Sequence, residues 1–211
     1  MPKQRVVVKD SSFNDLPQKV QMWKNRKWFW SRDRNNDLIP TEIKTMFGRI
    51  GQEYIAKILS WRMSRHRRWH RIYMAFCPLR NLVSVVEQAI DANEEIPEPF
   101  MWYCAEALAT AGATMLQGDL EANAVSEWRP ILHRDLKISN VLLDNPLLHP
   151  YSRYPTPKVC DFGYSTYNQR DGDHTIQTDG TLWYKGCSAP EAIRPELGPY
   201  TSKSDVWAFA P

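Results

Sequence analysis

The stretch that most constrains this chain runs from residue 131 to residue 144. An apolar pair opens it and the apolar run 141–143 closes it, so the pattern predicts a polar loop between two short buried strands. Within the loop, Asp135, Lys137 and Asn140 place a carboxylate, an ammonium and an amide on one turn. That trio suits phosphoryl transfer, because it supplies a base for a hydroxyl, a cation for the moving group and a ligand for Mg²⁺.

The loop resembles the catalytic loop of the eukaryotic protein kinases, His-Arg-Asp-Leu-Lys-x-x-Asn. Three more motifs follow in that family's order: Asp161-Phe162-Gly163, Ala189-Pro190-Glu191 and Ser204-Asp205-Val206-Trp207. A charged surface loop would explain any one of these residues, but it would not explain the ordered set. The resemblance implies an α+β, two-lobed protein-kinase-like fold. Residues 1–76 would form the small, mainly β lobe, and residues 77–211 the hinge and the mainly helical large lobe.

Both ends of the sequence depart from the family pattern. Kinases fold a glycine-rich hairpin over ATP just before a strand lysine, whereas the first glycine here is Gly48. At the other end, the helix expected from Asp205 would still be running at Pro211. We therefore expect a small lobe without its glycine-rich hairpin and a large lobe cut short.

Lys9 ends a β-branched run, residues 6–8, that predicts a strand. The resemblance implies that this lysine holds the α- and β-phosphates of ATP and acts with the catalytic residues. A helix is predicted next from apolar residues at three- and four-residue steps: Ile43, Met46, Phe47 and Ile50. Glu42, near its start, is the candidate partner of Lys9. Spacing alone leaves Glu53 and Glu94 open, although Glu53 leaves little chain before the next strand and Glu94 falls after the hinge.

Residues 54–60 and 71–77 are predicted to be strands, and the hinge follows at 78–82. On this register the resemblance makes Met74 the gatekeeper and places backbone groups of 75–77 on the adenine. Asn140 and Asp161 would bind Mg²⁺. The cofactor-binding set that the resemblance implies is Lys9, Met74, Phe76, Cys77, Asn140, Leu142 and Asp161.

The remaining elements follow from local pattern. Helices are predicted over 84–92 and Glu98–Gln117, the second with an apolar stripe of Phe100, Cys104, Leu108, Ala111 and Met115. The proline-rich residues 145–156 are interpreted as an insertion. A short strand over 158–160 leads to Asp161, and Gly163 is expected to let the backbone turn.

Residues 164–187 resemble an activation segment, so control by phosphorylation is predicted. An arginine beside the catalytic aspartate, here Arg134, can pair with a phosphate there. Thr175 and Thr178 are the predicted acceptors of the phosphate, and Ser165 is the next candidate after them. Thr181 matches the family's substrate-docking loop, although the spacing to Ala189 is too long by about three residues on the family's pattern.

Charge and residue composition bear on whether the chain binds nucleic acid. The net charge of +3 does not by itself imply a polyanionic partner. Residues 22–34 and 61–71 interleave aromatic and basic side chains, a mixture that can bind nucleic acid. Neither segment forms a known RNA-binding module, so we interpret them as an insertion and a charged turn, and expect no nucleic-acid partner.

The expected location is cytoplasmic or nuclear. No apolar run reaches membrane-spanning length, so no membrane partner is expected, and the start lacks a signal-peptide core. The four cysteines show no Cys-x-x-Cys spacing, which favours reduced thiols.

The sequence thus predicts a serine/threonine protein kinase-like domain that uses ATP and Mg²⁺ on a protein substrate. Lys137, two residues after Asp135, favours serine and threonine acceptors by resemblance. Two alternatives stay open: a catalytically impaired kinase or fragment that acts as a binding module, and a small-molecule phosphotransferase of the aminoglycoside-kinase type. The second of these usually lacks an Ala-Pro-Glu segment.

Overall fold

The computed structural model of the chain describes residues 5–12, 30–32, 38–47, 52–64, 69–118, 128–147, 153–167 and 188–209. Strands and helices both occur in these residues, which confirms the predicted mixture of α and β structure. The two-lobed arrangement and its boundary at residue 76 stay predictions.

Strand β1 (Val6–Ser12) begins the described chain, as its β-branched run predicts. The short strands β2 (Trp30–Arg32) and β3 (Leu38–Pro40) pair antiparallel and lead directly into helix α1 (Thr41–Phe47). Strand β2 lies within the insertion predicted at residues 22–34, and strand β3 follows that insertion.

Helix α1 buries Ile43 and Met46, three residues apart, on one face. This spacing is the periodicity from which the helix was predicted. Ile50, also part of that pattern, lies outside the described residues.

The main sheet has three antiparallel strands. Strand β4 (Ile58–Ser64) and strand β5 (Trp69–Ala75) form a hairpin, and β1 pairs with the other side of β5. In this register Lys9 lies opposite Ile72, at the middle of strand β1 rather than at its end.

The predicted bounds of this hairpin were wrong by several residues. The strands were expected at 54–60 and 71–77, with a charged turn over 61–71. Instead, β4 and β5 extend into that segment, and Arg62 pairs with Arg71 across the hairpin. The reason is that in β5 the buried His70 and Ile72 alternate with the less buried Trp69, Arg71 and Tyr73, which is the two-residue period of a half-buried strand. Residues 65–68 lie outside the described residues.

Two helices follow the sheet. Helix α2 (Leu82–Ala92) begins two residues earlier than predicted, because the Asn81 side chain accepts the Ser84 N–H at 3.1 Å and caps the helix. Helix α3 (Glu98–Gln117) has the predicted bounds. Of its predicted stripe, four residues are buried and Leu108 is partly buried against the core. No described helix combines the length and apolar character that crossing a bilayer would require.

Two short pairs of antiparallel strands frame the predicted loop. Strand β6 (Ile131–Leu132) ends just before it and strand β7 (Val141–Asp144) begins just after it. Strand β8 (Thr156–Val159) pairs with β7, and strand β9 (Thr166–Tyr167) pairs with β6. Consequently, residues 133–140 and 160–165 lie side by side between the same two strand pairs. The strand predicted at 158–160 therefore starts earlier, inside the predicted insertion.

The last described elements are helix α4 (Pro190–Ile193), a 3₁₀ turn (Pro195–Leu197) and helix α5 (Ser202–Trp207). A capping box starts α5, with Thr201 accepting the Lys203 N–H and Ser204 accepting the Thr201 N–H. Ser204 also donates to Glu191 of α4, which ties the two helices together.

The main core joins these elements around the predicted site. Ile43 from α1, Ile72 from β5, Tyr103 from α3 and Phe162 all belong to one buried cluster. Each is almost fully buried. The residues that follow Phe162 are thereby fixed against α1, which positions the site described next.

Candidate active site

Asp135 is held from two sides by the residues predicted to work with it. Lys137 Nζ donates to Asp135 Oδ1 at 2.9 Å, and Asn140 Nδ2 donates to Asp135 Oδ2 at 2.9 Å. The structure therefore brings the predicted carboxylate, ammonium and amide together on one turn. Both carboxylate oxygens keep a second lone pair with which to accept a further donor.

A 3₁₀ turn (Ile138–Asn140) folds the loop back on itself. The Asn140 N–H donates to Lys137 O at 2.8 Å, and Asn140 Nδ2 also donates to Asp135 O at 2.8 Å. Because the side-chain nitrogen of Asn140 already donates to Asp135, the side-chain oxygen Oδ1 is left to bind a metal ion. The Asn140 carbonyl accepts the Cys160 N–H at 2.9 Å, which places this amide beside the strand end that carries Asp161.

The side chain of Asp205 anchors the backbone of this loop. Its carboxylate accepts the backbone N–H groups of His133 at 2.7 Å and Arg134 at 2.9 Å, and the Tyr200 hydroxyl at 2.7 Å. Asp205 is buried, so these donors satisfy a charge that would otherwise be costly. Arg134 adopts a left-handed backbone conformation, with φ of 69°, and its guanidinium lies 5.9 Å from the centre of the Tyr200 ring. The resemblance implies that the helix carrying Asp205 anchors this loop, and the structure shows that the Asp205 carboxylate makes the contacts.

His133 is a structural, uncharged member of the loop. Complete burial lowers its pKa, although nearby carboxylates oppose the shift. The Asp135 N–H donates to Nδ1 at 3.3 Å, and Nε2 lies 3.0 Å from Cys160 O. This network assigns the proton to Nε2, which donates to the carbonyl.

Lys9 bridges two carboxylates from distant parts of the chain. Its Nζ lies 2.6 Å from Glu42 Oε1 and 2.6 Å from Asp161 Oδ1. The structure thus selects Glu42 from the three glutamates that spacing left open. Burial alone would lower the pKa of Lys9, but the two carboxylates raise it above its ordinary value. Burial would likewise raise the pKa of Glu42, yet contacts with His70 and Lys9 hold it below its ordinary value.

Asp161 makes the backbone turn that was predicted for Gly163. The left-handed residue is Asp161, with φ of 62°, and its Oδ1 accepts the Gly163 N–H at 3.3 Å. Gly163 is needed for a different reason. A Cβ there would lie 3.1 Å from Asp161 Oδ1 and 3.5 Å from Lys9 Nζ, so a side chain would crowd the ion pair.

A buried pair of hydroxyls links α1 to the segment after Asp161. Thr45 Oγ1 and Ser165 Oγ lie 2.9 Å apart, and they lie 3.0 Å from Glu42 O and 2.7 Å from Phe162 O, respectively. The two hydroxyl protons therefore serve two of these three contacts. Local sequence patterns carried no signal for this contact. Ser165 is only 5% exposed, so the structure argues against its predicted role as a phosphate acceptor.

The predicted hinge residues follow the end of β5 and run alongside β7. The Ala75 N–H already donates to Lys57 O at 2.9 Å, so this donor is not the one that would reach adenine. Phe76 and Cys77 follow it, the first exposed and the second buried. The hinge is joined to β7 by hydrogen bonds between Leu79 N–H and Leu143 O, at 3.1 Å, and between Leu143 N–H and Arg80 O, at 2.9 Å. Met74 and Leu142 are both partly buried here, on β5 and β7.

The predicted regulatory threonines fall within residues 168–187, outside the described residues. Their roles, and that of Arg134 as a phosphate ligand, stay predictions. Much of segment 22–34 also lies outside them.

Comparison with known proteins identifies relatives among kinases. The family model described as the protein kinase domain matches residues 21–210. Vascular endothelial growth factor receptor 2 of Mus musculus is 29% identical over 185 residues, which cover 84% of this chain and 12% of the receptor. The putative mitogen-activated protein kinase kinase kinase 7-like protein of Drosophila melanogaster is 40% identical over 81 residues, 38% of this chain and 17% of that protein. The seven transmembrane domain-containing tyrosine-protein kinase 1 of Dictyostelium discoideum is 41% identical over 85 residues, 39% of this chain and 10% of that protein. The chain thus spans less than a fifth of each of these relatives.

Proposed function

Because the chain belongs to the protein kinase family, we propose that it transfers the γ-phosphoryl group of Mg-ATP to a serine or threonine hydroxyl of a protein. The observation that carries the proposal is the pair of clusters just described. Lys9, Glu42 and Asp161 meet although they are far apart in sequence, and Asp135, Lys137 and Asn140 meet in the adjoining loop. Family members act on proteins, which favours a protein substrate over the small-molecule alternative.

The residues present fit Mg-ATP. Asp161 and Asn140 offer the carboxylate and amide oxygens that Mg²⁺ accepts, and their strand ends are joined by the Cys160–Asn140 hydrogen bond. Lys9 would hold phosphate oxygens while Glu42 keeps its ammonium in place. When bound, Mg-ATP supplies the phosphoryl group, and the cation neutralises part of its charge.

Asp135 would orient the acceptor hydroxyl and take up its proton. Its carboxylate is positioned by Lys137 and Asn140, and the loop that carries it is fixed to the buried Asp205. Lys137, whose Nζ lies 2.9 Å from Asp135 Oδ1, would supply positive charge to the phosphoryl group during its transfer. Such preorganised charge stabilises the transition state without reorganisation during the reaction.

The residue that accepts the phosphoryl group can be tested directly. The similar proteins include tyrosine kinases as well as others, so the choice of serine and threonine rests on Lys137 in the loop. Peptides that differ only in carrying serine, threonine or tyrosine should be incubated with Mg-ATP and analysed by mass spectrometry. We expect phosphate on serine and threonine, and phosphorylation of the tyrosine peptide alone would overturn the assignment.

Asp161→Asn should weaken Mg-ATP binding. The carboxylate would lose a charge-assisted contact to the metal, which corresponds to about ten- to a hundredfold in affinity. Isothermal titration calorimetry with Mg-ATP measures the loss. Asp144→Asn is the matched control, since Asp144 lies on the neighbouring strand β7 and 3.9 Å from Lys158. Equal affinity in wild type and Asp161→Asn would remove Asp161 from the metal site.

A cytoplasmic or nuclear location remains part of the proposal. Its support is that three cysteines, Cys77, Cys104 and Cys160, are free and buried. Burial raises the pKa of the Cys77 thiol to about 11 and those of Cys104 and Cys160 to about 12, so all three stay protonated near neutral pH. Cys187 lies outside the described residues.

A further inference from the structure

His70 lies beneath the ion pair of Lys9 without having been assigned any role. It occupies the second position of β5, opposite Ser11 of β1 and Met63 of β4. Side chains two residues apart on a strand share a face, so His70 and the buried Ile72 both face the core. His70 is 6% exposed, and its ring is therefore directed toward α1 rather than to solvent.

The His70 ring approaches the Glu42 oxygen that Lys9 does not use. Lys9 Nζ is 2.6 Å from Glu42 Oε1, whereas His70 Nε2 is 3.7 Å from Glu42 Oε2. The carboxylate thus has a basic group on each oxygen. One is in hydrogen-bond contact, and the other lies at the distance of an ion pair.

The hydrogen-bonding capacity of the His70 imidazole is also unsatisfied. Within the described part of the chain, neither His70 nitrogen has a hydrogen-bond partner. A buried polar group in that state is costly, and native structures rarely retain one without a purpose. Glu42 Oε2 lies 3.7 Å from Nε2 and can accept its N–H, and a hydrogen bond needs about 2.7–3.2 Å, so a small side-chain adjustment closes the contact.

We propose that His70 is a positioning residue for Glu42: its Nε2–H holds Oε2, so that Oε1 remains on Lys9 and Lys9 remains placed for phosphate. The proposal rests on the proposed function, since it concerns how the nucleotide lysine is held. Helix α1 reaches Lys9 through the Glu42 carboxylate, and contacts on both oxygens would fix the rotation of that carboxylate as well as its position. Lys9 alone would leave that carboxylate free to rotate about its last side-chain torsion.

Two substitutions separate hydrogen bonding from packing. His70→Gln keeps an N–H at about the position of Nε2, and His70→Leu keeps a comparable volume without a donor. We expect His70→Leu to weaken Mg-ATP binding about three- to tenfold, which is the range for one net hydrogen bond, and His70→Gln to remain within about twofold of wild type. Calorimetry gives the affinities, and thermal melts verify that both variants are folded.

Two outcomes of the affinity measurements would contradict the proposal. Wild-type affinity in His70→Leu would show that the contact does not position Lys9. Equal weakening in both variants would show that the ring serves packing alone.

A nucleotide-free measurement keeps this inference separate from the proposed function. Long-range ¹H–¹⁵N spectra of wild type should show His70 protonated at Nε2, and that nitrogen should shift when Glu42→Gln replaces the charge. An unchanged His70 signal in Glu42→Gln would overturn the proposal. If wild type fails to bind Mg-ATP, the proposed function falls, while the spectra still decide whether His70 holds Glu42.

Discussion

Asp135→Asn should reduce phosphoryl transfer by roughly a hundred- to ten-thousandfold, the range that general-base groups contribute. The amide is close in size to the carboxylate, but it cannot accept the proton of the substrate hydroxyl. The amide oxygen can still accept one of the two donors, Lys137 Nζ or Asn140 Nδ2, and the Asn140 contact to the backbone carbonyl of residue 135 is unaffected, so the loop should stay in place. Initial rates on a serine peptide, measured at saturating Mg-ATP, give the ratio.

Two controls make this result specific. Asp135→Asn should bind Mg-ATP as wild type does, because Asp161 and Lys9 form a separate cluster. Asp144→Asn, outside the loop on β7, should leave the rate unchanged. A rate in Asp135→Asn close to that of wild type would contradict the role of Asp135. A wild-type chain that binds Mg-ATP without turnover would instead favour the alternative of a binding module.

Asp205→Ala should lower the free energy of unfolding by about 3–5 kcal/mol, the cost typical of removing one partner from a buried charged network. Three donors would lose their acceptor: the N–H groups of His133 and Arg134 and the hydroxyl of Tyr200. Urea denaturation followed by circular dichroism measures the loss.

Tyr200→Phe is the graded control for Asp205. It removes one of the three hydrogen bonds and leaves both backbone donors satisfied, so we expect a loss of about 1.5–3 kcal/mol. An Asp205→Ala variant as stable as Tyr200→Phe would mean that the two backbone contacts contribute little. The catalytic loop would then be held mainly by its own hydrogen bonds.

Elements with a strong local pattern could be predicted closely. Helix α3 has its predicted bounds, because its apolar residues recur with a helical period and prolines mark its start. The β4–β5 hairpin was predicted with the wrong limits for a related reason. Its charged residues were interpreted as a turn, whereas Arg62 and Arg71 face each other on paired strands. Charge content alone does not distinguish a turn from the exposed face of a strand.

The sequence by itself determined the loop that contains Asp135, Lys137 and Asn140, because these residues lie within one turn and local hydrogen bonds bring them together. It also indicated the order of the motifs, and through them the family. Which distant groups form ion pairs or hydrogen bonds could be seen only once the chain was folded. Lys9 meets Asp161 across 152 positions, His70 faces Glu42, and Gly163 lies against the ion pair. Such contacts depend on how strands and helices pack, and a local pattern contains no information about a partner that the fold brings from elsewhere in the chain.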